Sequence, residues 1–339
     1  MKENKEIYRV PEGFDINRFS SFLTDSIRCS VPTLESERIA AELCKIVERG
    51  GCGAVIVGEP RIGKTRSIVL IRSKLKQKFG KDLPVYSFRA SEKSTNTDKA
   101  FFTEMLLSFG FPAPSRRDTA LDMKLRLINA IKMDAERTRY RKVILLLDDA
   151  QDIKKKELSL LRDIHDELDW MEARLSLILF GQKVETNMLL NKLRAERQMQ
   201  IIGRFFTRFF DYHGIQSPQA LAFLLLSLDN NVDFMFGDRR IIISRDLFPY
   251  SFDKSGFAAL TAPLWNAFIE TNRTYGISTD EIPMEYMMST ISLIILRYSI
   301  AGDGPEESVG VYPGISEIME CIETSGYRYY AEALAQPAP

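Results

Sequence analysis

An α/β fold, a doubly wound parallel sheet followed by a C-terminal helical lid, is predicted by three features of this 339-residue sequence. A short apolar run, Ala54-Val55-Ile56-Val57, leads into Gly58-Glu59-Pro60-Arg61-Ile62-Gly63-Lys64-Thr65 and then into a helix-forming stretch. A continuous apolar run, Val143-Ile144-Leu145-Leu146-Leu147, ends in Asp148-Asp149. A third run, Leu175 to Phe180, ends in Gly181-Gln182. Strands buried on both faces look like this, because helices cover both sides of a parallel sheet. Their alternation with helical patterns indicates successive strand–helix units.

Residues 1–30 read as irregular or weakly helical, with no apolar signal-peptide core. Pro32-Thr33 opens a helix. Ile39, Leu43, Ile46 and Val47 recur on its inner face, and Gly50-Gly51 ends it. After the glycine loop, Arg66 to Phe79 reads as a helix closed by Gly80. Pro84 to Phe88 is a strand, and Phe101 to Phe109 a helix closed by Gly110. Pro112 and Pro114 mark a loop. Leu121, Leu125, Ile128 and Ile131 form a helical stripe before the Val143 strand. A charged helix from about Lys154 to Trp170 precedes the Leu175 strand. Beyond Tyr212 the pattern becomes helical, at Pro218–Leu228, Phe257–Asn272, Ile282–Tyr298 and Ile315–Ala335, with a linker at Asp303–Gly314. The expected division is an N-terminal extension at 1–30, a core at 31–212, a helical lid at 213–302 and an acidic linker with tail at 303–339.

Composition narrows the function classes. Lys plus Arg and Asp plus Glu both number 46, which excludes binding driven by bulk charge but not by a local patch. The four cysteines, Cys29, Cys44, Cys52 and Cys321, form no C-x-x-C pair, and there are only two histidines, so a zinc site is not expected. No run reaches the ~18 apolar residues of a membrane span. A reducing, cytoplasmic setting without membrane contact is the expectation.

Gly58 to Thr65 has the G-x-x-x-x-G-K-[ST] spacing of a phosphate loop. Its glycines let backbone N–H groups turn onto phosphate oxygens, Lys64 places a positive charge at the β- and γ-phosphates, and the Thr65 hydroxyl can ligate Mg²⁺. Arg66 continues this run into a helix whose N-terminal end faces the anion. The expected cofactors are therefore ATP and Mg²⁺, bound by Gly58, Glu59, Pro60, Arg61, Ile62, Gly63, Lys64, Thr65 and Arg66. Asp148 at the end of its strand would hold the metal with Thr65, and Asp149 would polarise the attacking water; the alternative for Asp149 is a helix cap. Guanine specificity is unsupported. Asp148-Asp149-Ala150-Gln151 lacks the glycine of D-x-x-G, and Asn191-Lys192-Leu193-Arg194 lacks the final acid of N-K-x-D.

GEPRIGKT, LLLDDAQDI and LILFGQ together resemble the transposon-encoded AAA+ target-selection ATPases of the TnsC/TniB type, over about residues 31–212. Each motif is also shared by secretion ATPases and replication-origin ATPases. The resemblance implies an AAA+ P-loop NTPase core with a helical lid. Gln182 would act as the sensor bridging γ-phosphate and water, unless Gly181-Gln182 is only a turn. Arg204, or Arg208 beside it, would reach a neighbouring subunit's ATP as an arginine finger; a surface ion pair is the plainer alternative. Relatives form rings or filaments of themselves on double-stranded DNA and link a target-site adaptor to a transposase, so these are the implied partners. Many have Glu where this chain has Asp149, which puts fast hydrolysis in doubt.

Residues 113–142 hold nine basic residues against four acidic, whereas the segment from 301 holds seven acids and one arginine. Lys93, Thr95 and Lys99 lie in the loop that relatives turn towards the pore, and Arg116, Arg117 and Lys124 follow it. These six are the candidate phosphate-backbone contacts; solvated faces and subunit contacts are the plainer reading. Phe205, Phe206, Phe209 and Phe210 are expected to pack rather than stack on bases. The alternatives to a DNA-assembled regulator of transposition are a DNA-independent AAA+ signalling or secretion switch, a small-molecule kinase, and a nucleotide-locked scaffold.

Overall fold

The apolar runs pair as parallel strands of one sheet. The computed structural model describes residues 13–25, 29–91, 97–231, 234–236, 238–251, 254–277, 279, 281–304 and 309–335. Along the chain run α1 (Ile16–Thr24), α2 (Leu34–Glu48), β1 (Gly53–Gly58), α3 (Lys64–Phe79), β2 (Val85–Arg89), α4 (Asp98–Ser108), α5 (Ala120–Glu136), β3 (Lys142–Asp148), α6 (Lys155–Trp170), β4 (Arg174–Gln182), α7 (Lys183–Ala195), α8 (Met199–Phe205) and β5 (Phe209–Asp211). Then follow α9 (Pro218–Asn231), β6 (Met235–Phe236), β7 (Arg239–Arg240), α10 (Thr261–Thr274), α11 (Met284–Tyr298), α12 (Ile315–Thr324) and α13 (Tyr327–Ala335). The chain packs as two units, one of 38–59 and 68–212, the other containing the described parts of 1–37 and 213–339 together with 60–67.

In the first unit the strand order is β2-β3-β4-β1-β5, and every pairing is parallel. All six residues of β1 and six of the seven in β3 are buried, which is why these strands carry no alternating polar face. Val55, Leu145 and Leu177 share a core with Phe101 and Phe102 of α4 and Leu127 of α5. The register sets Gly58 opposite Gln182, Leu147 opposite Leu179 and Arg89 opposite Asp148. The carboxyl ends of β1 to β4 thus share one sheet edge. From the adjacent strands β1 and β4 the chain leaves in opposite directions, towards β2 and towards β5. That reversal is where open α/β sheets bind ligands.

Strand β5 was not expected, because three residues inside an aromatic run carry no strand period. Phe205 and Phe206 are buried as expected, while Phe209 is 40% exposed in β5. Strand β1 begins against α8: a Cβ on Gly53 would lie 2.5 Å from the Phe205 Cα and closer still to the Arg204 carbonyl oxygen. Both are backbone neighbours that cannot swing away. Gly53→Ala is therefore expected to destabilise by about 1–3 kcal/mol, the usual cost of overpacking, read as a lowered midpoint in denaturant unfolding.

The second unit is helical. Helix α1 starts at Asp15, whose carboxylate accepts from the Asn17 and Arg18 amides, as an N-cap does. It buries Phe19 and Leu23 in one core with Leu224 of α9 and Met287 and Ile291 of α11. Ser20 shares a hydrogen bond with Ser292 of α11. Residues 16–24, which the sequence suggests as part of an irregular or weakly helical extension, are a helix that joins a core. Four apolar residues in nine are too short a period to betray that. The expected helix at Ile315–Ala335 is two, α12 and α13, because Gly326 adopts φ 82° between them.

Candidate nucleotide site

Within the sheet unit, the site starts at the carboxyl ends of the strands. Asp148 closes β3 and is 7% exposed. Asp149 takes a left-handed conformation, φ 53°, which Asp tolerates better than most residues. Its carboxylate makes no capping bond to the 3₁₀ turn Ala150–Asp152 that it precedes. Instead Asp149 Oδ2 meets Arg89 Nε at 2.7 Å, and Oδ1 accepts from Gln151 Nε2 at 3.2 Å. The carboxylate in turn raises the Arg89 pKa, through that hydrogen bond first. Gln151 Oε1 then accepts the Gln182 backbone N–H at 3.0 Å. One amide side chain therefore ties the end of β3 to the end of β4. A Cβ on Gly181 would come within 3.2 Å of that oxygen and closer to Thr186 Oγ1, which explains glycine in Phe180-Gly181-Gln182. Gln151 and Arg89 were missed as site residues. The signal for Gln151 was its place in the Asp148-Asp149-Ala150-Gln151 motif, which assigns it no role.

Residues 60–67, which carry the phosphate-loop motif on from Gly58 and Glu59, belong to the helical unit. Arg61 at φ 66° and Gly63 at φ 102° are left-handed. Left-handed residues in a short loop turn successive N–H groups to one side, which makes an anion cradle. The loop closes into α3 through Ser67 N–H to the Gly63 carbonyl, 3.0 Å, and Ser67 Oγ to the Lys64 carbonyl, 2.6 Å. Lys64 is half-buried and Thr65 exposed. The arginines are occupied elsewhere. Arg61 Nη1 donates to Glu285 Oε1 and the Tyr286 hydroxyl, each at 2.9 Å, with its guanidinium over the Tyr286 ring. Arg66 Nη2 donates to the Thr24 carbonyl of α1 at 2.5 Å, and burial lowers its pKa. Their side chains fasten the loop to α11 and α1.

Beside this loop lies a cavity of ≈ 150 Å³, lined by Thr33, Glu35, Ile62, His213, Gln216 and Met284 among others. Glu35 Oε1 accepts the His213 N–H at 2.9 Å, and Glu281 Oε1 accepts the Gly214 N–H at 2.5 Å. These residues carry no motif, so nothing in the sequence marked them. For the metal, a hydroxyl and a carboxylate are hard oxygen donors and suit Mg²⁺ completed by phosphates and water. Among the described residues no group of three His, Cys, Asp or Glu gathers to hold a metal.

The remaining candidates are placed apart. Arg204 on α8 lies by the start of β1, at the opposite sheet edge from Asp148 and Asp149, and pairs with Asp166 at 2.8 Å. It is not positioned beside Asp148 or Asp149 of its own chain. Lys93 and Thr95 lie outside the described residues. Lys99 Nζ donates to the carbonyls of Arg116 and Asp118, at 3.0 and 2.8 Å, and so pins the loop before α5. Lys124 is ion-paired with Glu167. Much of the basic excess at 113–142 is similarly engaged: Arg137 with Asp134, Arg141 with Glu172, Lys142 with the Val47 carbonyl. Arg116 and Arg117 remain exposed, with no ion pair among the described residues. Charge counted along the chain overstated the free positive surface, because acids one or two helical turns away, or on the next element, neutralise it.

A model of the AAA domain family matches residues 48–190. No curated protein matches in sequence. Among solved structures, the chain is similar to the Aeropyrum pernix ORC2 protein, solved as ADPNP–ADP complexes, with 14% identity over 89% of this chain and 71% of that one, at a TM-score of 0.58. It is also similar to the Aeropyrum pernix ORC1 protein in complex with DNA, with 12% identity over 91% and 69% of the two chains and a TM-score of 0.49. A chain of Drosophila ORC bound to poly(dA/dT) DNA and Cdc6 shows 12% identity and a TM-score of 0.43, and the match spans 83% of this chain but only 40% of that one. At such identities the likeness is one of fold. With its five-stranded parallel sheet, its phosphate loop and the matched AAA domain, this chain has the α/β fold of an AAA+ P-loop NTPase.

Proposed function

We propose that the chain is an AAA+ ATPase that binds ATP with Mg²⁺ and assembles with copies of itself on duplex DNA. The observation that carries the nucleotide half is the left-handed Arg61 and Gly63 ahead of Lys64 at the start of α3. In this reading the loop amides and Lys64 hold the phosphates, Thr65 and Asp148 hold Mg²⁺, and the cavity of Thr33, Ile62 and Met284 takes the base. Asp149 orients the lytic water, with Gln182 positioned through Gln151. Arg204 would leave Asp166 to reach a neighbouring subunit's phosphates, a task that suits a guanidinium fork.

Regulation of transposition target choice, with a transposase and a target-site adaptor as partners, rests on the resemblance in GEPRIGKT, DDAQ and FGQ. The DNA half draws on Arg116 and Arg117, the exposed pair left by the ion pairing around them. A DNA-independent AAA+ switch is the second reading, favoured by the engagement of Lys99 and Lys124. Electron microscopy with ATP analogue and long duplex DNA separates the two: rings or filaments that need both ligands are expected. Affinity should fall steeply with salt, because each phosphate contact releases counterions. Arg116→Ala combined with Arg117→Ala should flatten that slope while nucleotide binding survives. No assembly with DNA, together with an unchanged slope, leaves the switch as the better account.

A further inference from the structure

At the edge of the sheet opposite the phosphate-loop end of β1 lies a second constellation, apart from Asp148 and Asp149. Cys52 immediately precedes β1, and it lines one cavity together with His165 of α6. His165 Nδ1 lies 3.2 Å from Asp166 Oδ1, and Asp166 also pairs with Arg204 at 2.8 Å. The imidazole is 8% exposed and packs edge-on against Phe205, so its orientation is held on both sides. A cavity of ≈ 280 Å³ opens onto the thiol and the imidazole, with Lys142 and Arg174 on its wall beside Asp169 and Ser176. Arg208 reaches the same corner, since a Cβ on Gly51 would lie 2.7 Å from its guanidinium.

We propose that Cys52 is a reactive thiol, activated by His165 and Asp166, that forms mixed disulfides with small anionic disulfides entering this cavity. A cysteine beside a base that a carboxylate orients has the arrangement of an activated nucleophile. The contrast within the chain supports this. Cys29, Cys44 and Cys321 are buried, and burial raises the pKa of each, Cys29 and Cys321 to about 11. Cys52 is half-buried, and its pKa is lowered, by His165 first, against desolvation and Asp169, with Arg204 assisting. Reciprocally, the His165 pKa is raised by Cys52 first and then by Asp166, against desolvation. Lys142, Arg174 and Arg208 outnumber Asp169 around the opening, so an anionic partner is preferred over a cationic one.

The exchange balances without any other reagent. The Cys52 proton passes to His165, and the thiolate attacks one sulfur of the incoming disulfide. A new S–S bond forms to Cys52 as the old one breaks, and the departing thiolate takes the proton from His165. Cys52 is oxidised, and one half of the small disulfide is reduced.

The test treats the full-length protein with oxidised glutathione, quenches with acid, and maps adducts by mass spectrometry of peptides. One glutathione per chain is expected, on Cys52, at a rate at least ten times that at any other cysteine, and slower with the cationic disulfide cystamine. The rate should follow a thiolate titration below the ordinary cysteine range, and in His165→Asn that midpoint should move up. Because His165 is buried, the variant is checked by circular dichroism, and the wild-type adduct map stands independently of it. First modification at another cysteine, no adduct on the native protein, or faster reaction with cystamine would overturn the proposal. So would an unchanged midpoint in a folded His165→Asn protein.

Discussion

Lys64→Ala is expected to weaken ATP binding by about 3 kcal/mol, roughly a hundredfold in Kd, the upper range for removing one charged hydrogen-bond partner. The loop would keep its shape, because that shape comes from Arg61 and Gly63 and from the Ser67 bonds to Gly63 and Lys64 backbone, none of which needs the lysine side chain. Thermal unfolding without nucleotide should therefore be nearly unchanged, while the stabilisation given by saturating ATP should shrink, since a ligand stabilises in proportion to the logarithm of its concentration over Kd. Isothermal titration with a non-hydrolysable analogue measures the affinity directly. Affinity equal to that of the unaltered protein would remove the phosphate-loop assignment, and with it the ATPase reading.

Turnover should collapse in Asp149→Asn, by about a hundredfold or more, the scale on which a positioned base acts. Nucleotide affinity should stay within a factor of a few. The carboxylate is held by Arg89 and Gln151 at 2.7 and 3.2 Å, so its direction is set before any nucleotide arrives. The asparagine keeps the side-chain shape, tolerates the same left-handed backbone, and loses the charge. Steady-state phosphate release against nucleotide titration separates the two effects. If Asp149 serves only as the ion-pair partner of Arg89, then Asp149→Asn and Arg89→Ala would both leave the rate unchanged. An exposed guanidinium paired with a half-exposed carboxylate contributes little to stability, so neither variant is expected to unfold the protein.

The sequence by itself determined the fold class and marked the spacing of a phosphate loop, because both are local. A strand buried on two faces must be continuously apolar, so Ala54–Val57, Val143–Leu147 and Leu175–Phe180 could be read without knowing their partners. The loop chemistry depends on eight consecutive residues from Gly58 to Thr65. Tertiary structure decided what depends on residues far apart in the chain. Strand order β2-β3-β4-β1-β5 brings Asp148 and Gln182 to one edge, and only that edge lets Gln151 bridge β3 and β4. The three-residue β5 gains its place from pairing with β1, not from any period of its own. Helix α1 is made part of a core by Leu224 and Met287, about two hundred positions or more downstream. Most of all, the charge on a segment is a sum over sequence, while its availability is a matter of neighbours. Lys99 is spent on carbonyls of the next loop, Lys124 on Glu167, and Arg204 on Asp166, and no count of lysines and arginines contains that information.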